Sequence, residues 1–196
     1  SGGFNEIDDD AIAAPLTKYS ATITDEDRIN EFVDRAYKIA TNGYPGAVHL
    51  SLPVDLMFSS FPEDAGRQER PFDLTSQAPS RAWPDPSRLE IVLKKLEAAS
   101  RPVLIGGHGV WWSCAEAYLE EAGRTLGIPV FNIPYHQKLL GEECEAYMGL
   151  ADVHQYHPSA DAFSESDLVL MVGARLDNQM NFGNAPLFPN TTQLVC

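Results

Sequence analysis

Short apolar runs alternate with helical patterns from residue 86 onward, and this alternation restricts the chain to few folds. Runs typical of β-strands cover 102–105, 128–131, 167–173 and 193–195, and helical patterns cover 86–96, 113–126 and 158–163. Successive parallel strands need a crossover connection, usually a helix, so the alternation predicts a parallel sheet flanked by helices on both faces. We therefore expect an α/β fold.

The first 60 residues carry a shorter pattern of the same kind. Apolar residues recur at helical spacing between Thr24 and Gly43, with Thr24 and Asp27 as a capping box, and an apolar β-type run follows at 47–52. Prolines are frequent between this run and residue 86, which is typical of a linker. We therefore divide the chain into three parts, an incomplete α/β domain (1–60), a Pro-rich linker (61–85) and a second, truncated domain (86–196).

The charge balance excludes one class of function. The 196 residues include 14 Lys and Arg against 28 Asp and Glu, a formal net charge of −14. Nucleic-acid binding depends on clustered cations that release counterions from phosphates, so we expect no nucleic-acid partner.

No apolar run approaches the roughly 18–20 residues that a membrane helix needs, and the three cysteines lie far apart. We expect free thiols, no membrane partner and a cytoplasmic location.

Glycines follow the strand at 102–105, in the sequence Gly106-Gly107-His108-Gly109. Glycines at a strand-to-helix turn let backbone N–H groups approach a phosphate. The full dinucleotide motif needs a further glycine where Trp112 stands, and no acidic residue ends the next strand, so we expect no NAD site of the usual type. A tight turn that needs positive φ explains these glycines equally well.

A second turn, residues 173–177, follows the strongly apolar run at 167–173. Ligands bind beyond the carboxyl ends of strands in open α/β sheets, and the planar guanidinium of Arg175 suits a phosphate. The alternative is a surface ion pair between Arg175 and either Asp177 or Asp167.

The histidines give little support for a metal site. His154 and His157 are three residues apart, but Pro158 interrupts a helix there and no nearby carboxylate has the usual ligand spacing. His136 lies in the same loop region. We expect no metal ligand in the chain, and we interpret His49, inside an apolar run, as a core histidine whose hydrogen bonds are satisfied.

Three signatures in the first 60 residues are similar to motifs of one enzyme family. Phe4-Asn5-Glu6 stands where that family has Phe-Gln-Glu, and residues 15–18 (Pro-Leu-Thr-Lys) resemble its Pro-(Ile/Val)-Thr-Lys. Residues 43–55 resemble its Gly-x-Pro-Gly-Pro-Val signature, which ends in Pro-x-Asp. The family is the thiamine-diphosphate-dependent group of acetolactate synthase, oxalyl-CoA decarboxylase and 2-hydroxyacyl-CoA lyase.

The resemblance implies an arrangement of domains and a set of ligand contacts. Enzymes of this group have three α/β domains, and the chain resembles the last third of the pyrimidine-binding domain, a linker and most of a Rossmann-like middle domain. The resemblance assigns cofactor binding to the two glycine-rich turns, at Gly107, His108, Gly109, Arg175 and Asp177. It places Phe4 and Asn5 near the substrate, and we add His154 to them.

Two positions distinguish the members of the group. Acetolactate synthases have Arg and Lys at the positions of Gln179 and Val54, which disfavours that activity. Residues 174–183 (Ala-Arg-Leu-Asp-Asn-Gln-Met-Asn-Phe-Gly) match the length and ending of an acyl-CoA lyase motif. The resemblance therefore favours a 2-hydroxyacyl-CoA lyase-like enzyme, with an acetolactate synthase-like enzyme or a non-catalytic nucleotide-binding module as alternatives.

The resemblance also implies cofactors and partners for the full-length enzyme. Thiamine diphosphate and Mg²⁺ would serve C–C bond cleavage or formation, and they would be bound mostly by segments that are not among these residues. The resemblance leaves open whether the middle domain binds ADP, FAD or no nucleotide. The substrate would be a small acyl-CoA or 2-oxo acid, and the enzyme a homodimer or homotetramer.

The chain departs from the family at two of these positions. His108 replaces a lysine that helps to bind ADP in oxalyl-CoA decarboxylases, and the side chain of Asn5 is shorter than that of the family's Gln. We assign no catalytic residue to this chain and expect it to be inactive alone.

Overall fold

The computed structural model of the protein describes residues 7–60, 82–134, 139–152 and 157–196. The chain divides into two compact units, Ser1–Trp83 and Pro84–Cys196. The first unit contains α1 (Asp9–Ala13), β1 (Tyr19–Thr22), α2 (Ile29–Thr41), β2 (Val48–Ser51) and α3 (Val54–Phe58), with short 3-10 turns at Ala14–Leu16 and Glu26–Arg28. None of the helices within the described ranges is long and apolar enough to cross a membrane.

In the first unit, β1 and β2 form a parallel pair, with α2 as the crossover between them. The Lys18 ammonium donates hydrogen bonds to the carbonyls of Asn42 and Tyr44, at 2.8 and 2.9 Å, just after α2 ends. A cation at the C-terminus of a helix is favourable because unpaired carbonyls converge there. A Cβ on Gly46 would lie 2.9 Å from Cδ of Lys18, so the two family-like signatures at 15–18 and 43–55 pack directly together.

The second unit is built on a five-stranded sheet in which every neighbouring pair is parallel. Its strands are β3 (Pro102–Gly106), β4 (Val130–Asn132), β5 (Tyr147–Leu150), β6 (Leu168–Val172) and β7 (Gln193–Val195), in the order β5-β4-β3-β6-β7. Its helices are α4 (Pro86–Ala98), α5 (His108–Trp112), α6 (Glu116–Leu126) and α7 (His157–Glu165), with a 3-10 turn at Asn178–Gly183. This arrangement confirms the predicted α/β fold.

Alternation along β3 supplies both faces of this sheet with core residues. Val103 and Ile105 belong to a buried cluster that includes Phe131 and Phe163, whereas Leu104 belongs to a second cluster. Successive strand residues point to opposite faces, so a continuous apolar run is what a doubly covered strand requires.

Local differences from the sequence predictions have identifiable causes. The side chain of Asp25, not Thr24, accepts the N–H of Asp27 at 3.0 Å, and the turn it caps precedes α2. The helix predicted at 113–126 begins later, at Glu116 as α6, because Cys114 has φ of 50° and separates it from α5, which ends at Trp112. β1 and β5 were not predicted, because both are short and β5 carries Gly149 in its interior.

Candidate functional site

The strand order places the turn at 106–109 and the turn at 173–177 at the same edge of the sheet, because they follow the neighbouring strands β3 and β6. The chain moves from β3 outward to β4 and β5, and then returns to pair β6 with the other side of β3. In open α/β sheets this reversal leaves a crevice at the carboxyl ends of the two central strands, where ligands bind. The turns that follow β3 and β6 are the two that the sequence singled out.

Backbone hydrogen bonds join the two turns. Gly107 N–H donates to the carbonyl of Val172 at 3.0 Å, and Gly109 N–H donates to the carbonyl of Gly173 at 2.9 Å. Both donors that a phosphate would need from these glycines are therefore engaged within the protein.

The glycines are required by the close approach of the two backbones. A Cβ on Gly107 would lie 2.5 Å from Cα of Ala174, and one on Gly109 would lie 2.7 Å from Cα of Gly173. The alternative of a turn that needs positive φ is wrong for the first turn, because φ of Gly107 is −131° and neither Gly106 nor Gly109 has positive φ. Positive φ occurs instead in the second turn, where φ of Gly173 is 60°.

Each of the two turns also carries polar side chains at this edge. His108 is half-buried with its ring centroid 6.2 Å from that of Trp111, and Arg175 is exposed. Asp177 caps the following 3-10 turn by accepting the N–H of Gln179 at 3.0 Å. The N–H groups of Gly107 and Gly109 are thus not available to an anion at this edge, where the two turns carry the side chains of His108 and Arg175.

The alternative partner Asp167 is too far from Arg175 for an ion pair. Asp167 precedes β6 and accepts the N–H groups of Ser100 and Arg101, at 2.6 and 2.9 Å, which lowers its pKa. Arg175 follows the other end of β6, and a strand rises about 3.3 Å per residue. That pairing is therefore wrong.

Asn132 is a buried polar residue that the sequence analysis did not select. It ends β4 opposite Gly106, is 2% exposed, and its Nδ2 donates to the carbonyl of Leu140 at 3.0 Å. Its Oδ1 has no hydrogen-bond partner within the described ranges. In the sequence, the signal for this residue is a polar side chain at the end of an apolar strand. Asn132 lies at the same edge of the sheet as the turn after β3.

Several predicted residues do not join this site. Phe4, Asn5, His136 and His154 lie outside the described residues. His49 is not a core residue, since its side chain is 32% exposed, although Nδ1 lies 3.1 Å from Oγ of Ser20 and 3.5 Å from Oδ1 of Asp10. Among the residues that the structure describes, no three His, Cys, Asp or Glu side chains converge as metal ligands.

Comparisons with known proteins agree with this fold. The probable acetolactate synthase large subunit of Methanococcus aeolicus is 26% identical over 98% of this chain and 32% of its own length. 2-Hydroxyacyl-CoA lyase 1 of Dictyostelium discoideum is 28% identical over 99% of this chain and 32% of its own length. The chain thus spans about a third of the length of these relatives.

A solved structure and a family model complete the comparison. The thiamine diphosphate-dependent 4-hydroxybenzoylformate decarboxylase of Rhodococcus jostii RHA1 superposes with a TM-score of 0.70 over 96% of this chain and 35% of its own, at 21% identity, which shows a shared fold. The model of the thiamine pyrophosphate enzyme central domain matches residues 89–196, which include both glycine-rich turns. The chain therefore belongs to the thiamine pyrophosphate enzyme family, and residues 89–196 are its central domain.

Proposed function

We propose that the chain is part of a thiamine-diphosphate-dependent lyase or carboligase of the 2-hydroxyacyl-CoA lyase type. One observation carries this choice among family members. The loop after β6, residues 174–183, has the length and the Phe-Gly ending of the acyl-CoA lyase motif, and Gln179 stands where acetolactate synthases have Arg. The 2-hydroxyacyl-CoA lyases among the relatives add support.

The residues of this chain would contribute binding and orientation. When bound, thiamine diphosphate supplies a nucleophilic carbon and an electron sink for C–C cleavage. Arg175 provides a cation in a chain of net charge −14, and the imidazole of His108 adds a hydrogen-bonding group. Both side chains suit the phosphates of CoA or of a nucleotide such as ADP or FAD.

Assays of the full-length gene product test this proposal. Enzyme supplied with thiamine diphosphate and Mg²⁺ should cleave a 2-hydroxyacyl-CoA between C1 and C2, giving formyl-CoA and an aldehyde one carbon shorter than the acyl chain, with little carboligation of pyruvate. Omission of thiamine diphosphate should abolish the reaction. Folded enzyme that is inactive on 2-hydroxyacyl-CoA would overturn the proposal.

Acetolactate synthase activity is the second candidate, because several of the relatives carry that name at 26–29% identity. The same assay separates the two, since condensation of pyruvate in preference to cleavage of 2-hydroxyacyl-CoA would select the synthase.

A further inference from the structure

Helix α1 contacts the sheet of the first unit through polar groups. No residue of α1 is buried, and its isoleucine, Ile12, is 60% exposed. The carboxylate of Asp10 contacts β1 twice, because Oδ2 accepts the hydroxyl of Thr22 at 2.6 Å and Oδ1 accepts that of Ser20 at 2.9 Å. An element that buries little apolar surface lies at the low end of local stability. The docking of α1 therefore depends on the strength of these polar contacts.

His49 extends this polar cluster to the neighbouring strand. The parallel register of β1 and β2 places His49 opposite Ser20, so both side chains lie on the face that α1 covers. Nδ1 of His49 lies 3.1 Å from Oγ of Ser20 and 3.5 Å from Oδ1 of Asp10. The three side chains thus connect β2, β1 and α1.

The hydrogen bonds of Ser20 determine the tautomer of His49. The hydroxyl of Ser20 has one proton, which it donates to the carboxylate of Asp10. At 3.1 Å from Oγ of Ser20, Nδ1 of His49 must then donate and the hydroxyl oxygen accept, so the neutral ring carries its proton on Nδ1. Nε2 is left to take up the second proton, and the side chain of His49 is 32% exposed, which gives water access to the ring.

Asp10 is the carboxylate that faces His49 in the part of the first unit that the structure describes. Asp9 precedes it on α1, and its Oδ2 accepts the hydroxyl of Ser51 at 3.4 Å, so it adds a second negative charge at the end of β2. A protonated imidazole therefore gains a partner on α1. The other charged neighbours on α1, β1 and α2 are engaged elsewhere: Asp8 accepts the N–H of Ala11, Lys18 donates to the carbonyls of Asn42 and Tyr44, Arg28 and Arg35 pair with Glu31, and Lys38 pairs with Asp34.

We propose that His49 and Asp10 form a pH-sensitive latch, which holds α1 more tightly on the sheet when the imidazole is protonated. A protonated ring places a positive charge 3.5 Å from Oδ1 of Asp10 and keeps its hydrogen bond to Ser20, whereas a neutral ring keeps the hydrogen bond alone. The latch lies in the first unit and does not depend on the proposed activity.

The direction of the pH effect follows from which group titrates. Histidines ordinarily titrate at about pH 6–7. Asp10 stays ionised across that range, because hydrogen bonds from Thr22 and Ser20 lower its pKa. The charge on His49 is thus the variable, and the added stabilisation is present below this range and is lost as pH rises through it.

Hydrogen exchange of the full-length gene product at about pH 5.5 and about pH 8 tests the latch, with the rates of residues 9–13 corrected for intrinsic exchange at each pH. Protection of α1 in the wild type should be about threefold greater at the lower pH, which is the contribution of a partly exposed ion pair. In His49→Gln the amide still donates to Ser20 but carries no charge, so protection should be the same at both pH values. Asp10→Asn removes the other charge and should also abolish the difference.

The matched control is His108→Gln, which removes a histidine from the second unit and should keep the threefold difference in α1. Asp10→Asn decides the question if His49→Gln fails to fold. Equal protection of the wild type at the two pH values, or a difference that persists in His49→Gln or Asp10→Asn, would overturn the latch. Loss of the difference in His108→Gln would also overturn it, because the effect would then not belong to His49.

Discussion

Gly109 and Gly127 are both glycines for backbone reasons, but the reasons differ. Gly109 has ordinary φ, and a Cβ there would meet Cα of Gly173 at 2.7 Å. Gly127 ends α6 with φ of 64°, and nothing lies within 4 Å of its Cβ position. The first is required by a neighbouring backbone and the second by its own conformation.

We expect Gly109→Ala to lower the free energy of unfolding by about 2–3 kcal/mol, because the turn after β6 must shift to admit a methyl group. Gly127→Ala should cost about 1 kcal/mol, the penalty for a side chain in the left-handed region. Urea unfolding monitored by circular dichroism measures both. Equal costs for the two variants would show that the turns are not tightly packed.

At the scale of elements, α6 packs against β4 through a glycine in the middle of the helix. A Cβ on Gly123 would lie 2.5 Å from Cγ2 of Val130 and 2.9 Å from Cβ of Ala146. Neither neighbour is the flexible end of a long side chain. The helix can approach the sheet this closely because residue 123 is a glycine and has no side chain.

Gly123→Ala should destabilise the protein by about 1–2 kcal/mol, since overpacking exceeds the gain of about 1 kcal/mol in helix propensity. The control is Thr125→Ala on the exposed side of α6, which should stabilise the protein by about 0.5 kcal/mol at most, because alanine has the higher helix propensity. Thermal and urea unfolding measure the two changes. A Gly123→Ala variant that is as stable as Thr125→Ala would contradict this packing.

The carboxylate of Asp10 ties α1 to β1 through two hydrogen bonds. Its Oδ2 accepts the hydroxyl of Thr22 at 2.6 Å, and its Oδ1 accepts the hydroxyl of Ser20 at 2.9 Å. The hydrogen bond from Thr22 is the largest cause of a lowered pKa of Asp10, with Ser20 and His49 as further causes. A carboxyl group with a lowered pKa stabilises the fold above its ordinary pKa, and that stabilisation is lost as pH falls through the lowered value.

Thr22→Val should therefore reduce the free energy of unfolding at pH 7 by about 1 kcal/mol and make the loss of stability on acidification shallower. Carboxyl NMR titration should show a higher pKa of Asp10 in this variant. Ser51→Ala is the control, because Oγ of Ser51 lies 3.4 Å from Oδ2 of Asp9 and makes a weaker contact. An unchanged pKa of Asp10 in Thr22→Val would contradict the assignment.

Across the whole molecule, a net charge of −14 is the dominant electrostatic property. Repulsion among like charges destabilises a compact state, and the Debye length falls from about 30 Å at 0.01 M salt to about 8 Å at 0.15 M. The ion pairs recorded in the described ranges are mostly exposed, so salt removes little stabilisation through them.

The unfolding midpoint at pH 7 should accordingly rise when NaCl increases from about 0.01 to 0.15 M. Near the sequence pI of about 4.6 the net charge vanishes, and the same increase in salt should have no such effect. Differential scanning fluorimetry at the two pH values measures both. A midpoint that falls with salt at pH 7 would mean that the exposed ion pairs outweigh the net repulsion.

The sequence by itself determined the α/β class and most of the helices and strands described in the second unit, because periodicity reports which face of an element is buried. It also located both glycine-rich turns. Only the tertiary structure decided that the N–H groups of Gly107 and Gly109 bond to the backbone at the end of β6. The strand order is the reason, because it brings Val172 and Gly173 beside them. The contacts that join Asp10, Ser20 and His49 likewise follow from the packing of α1 on β1 and β2, which no local propensity specifies.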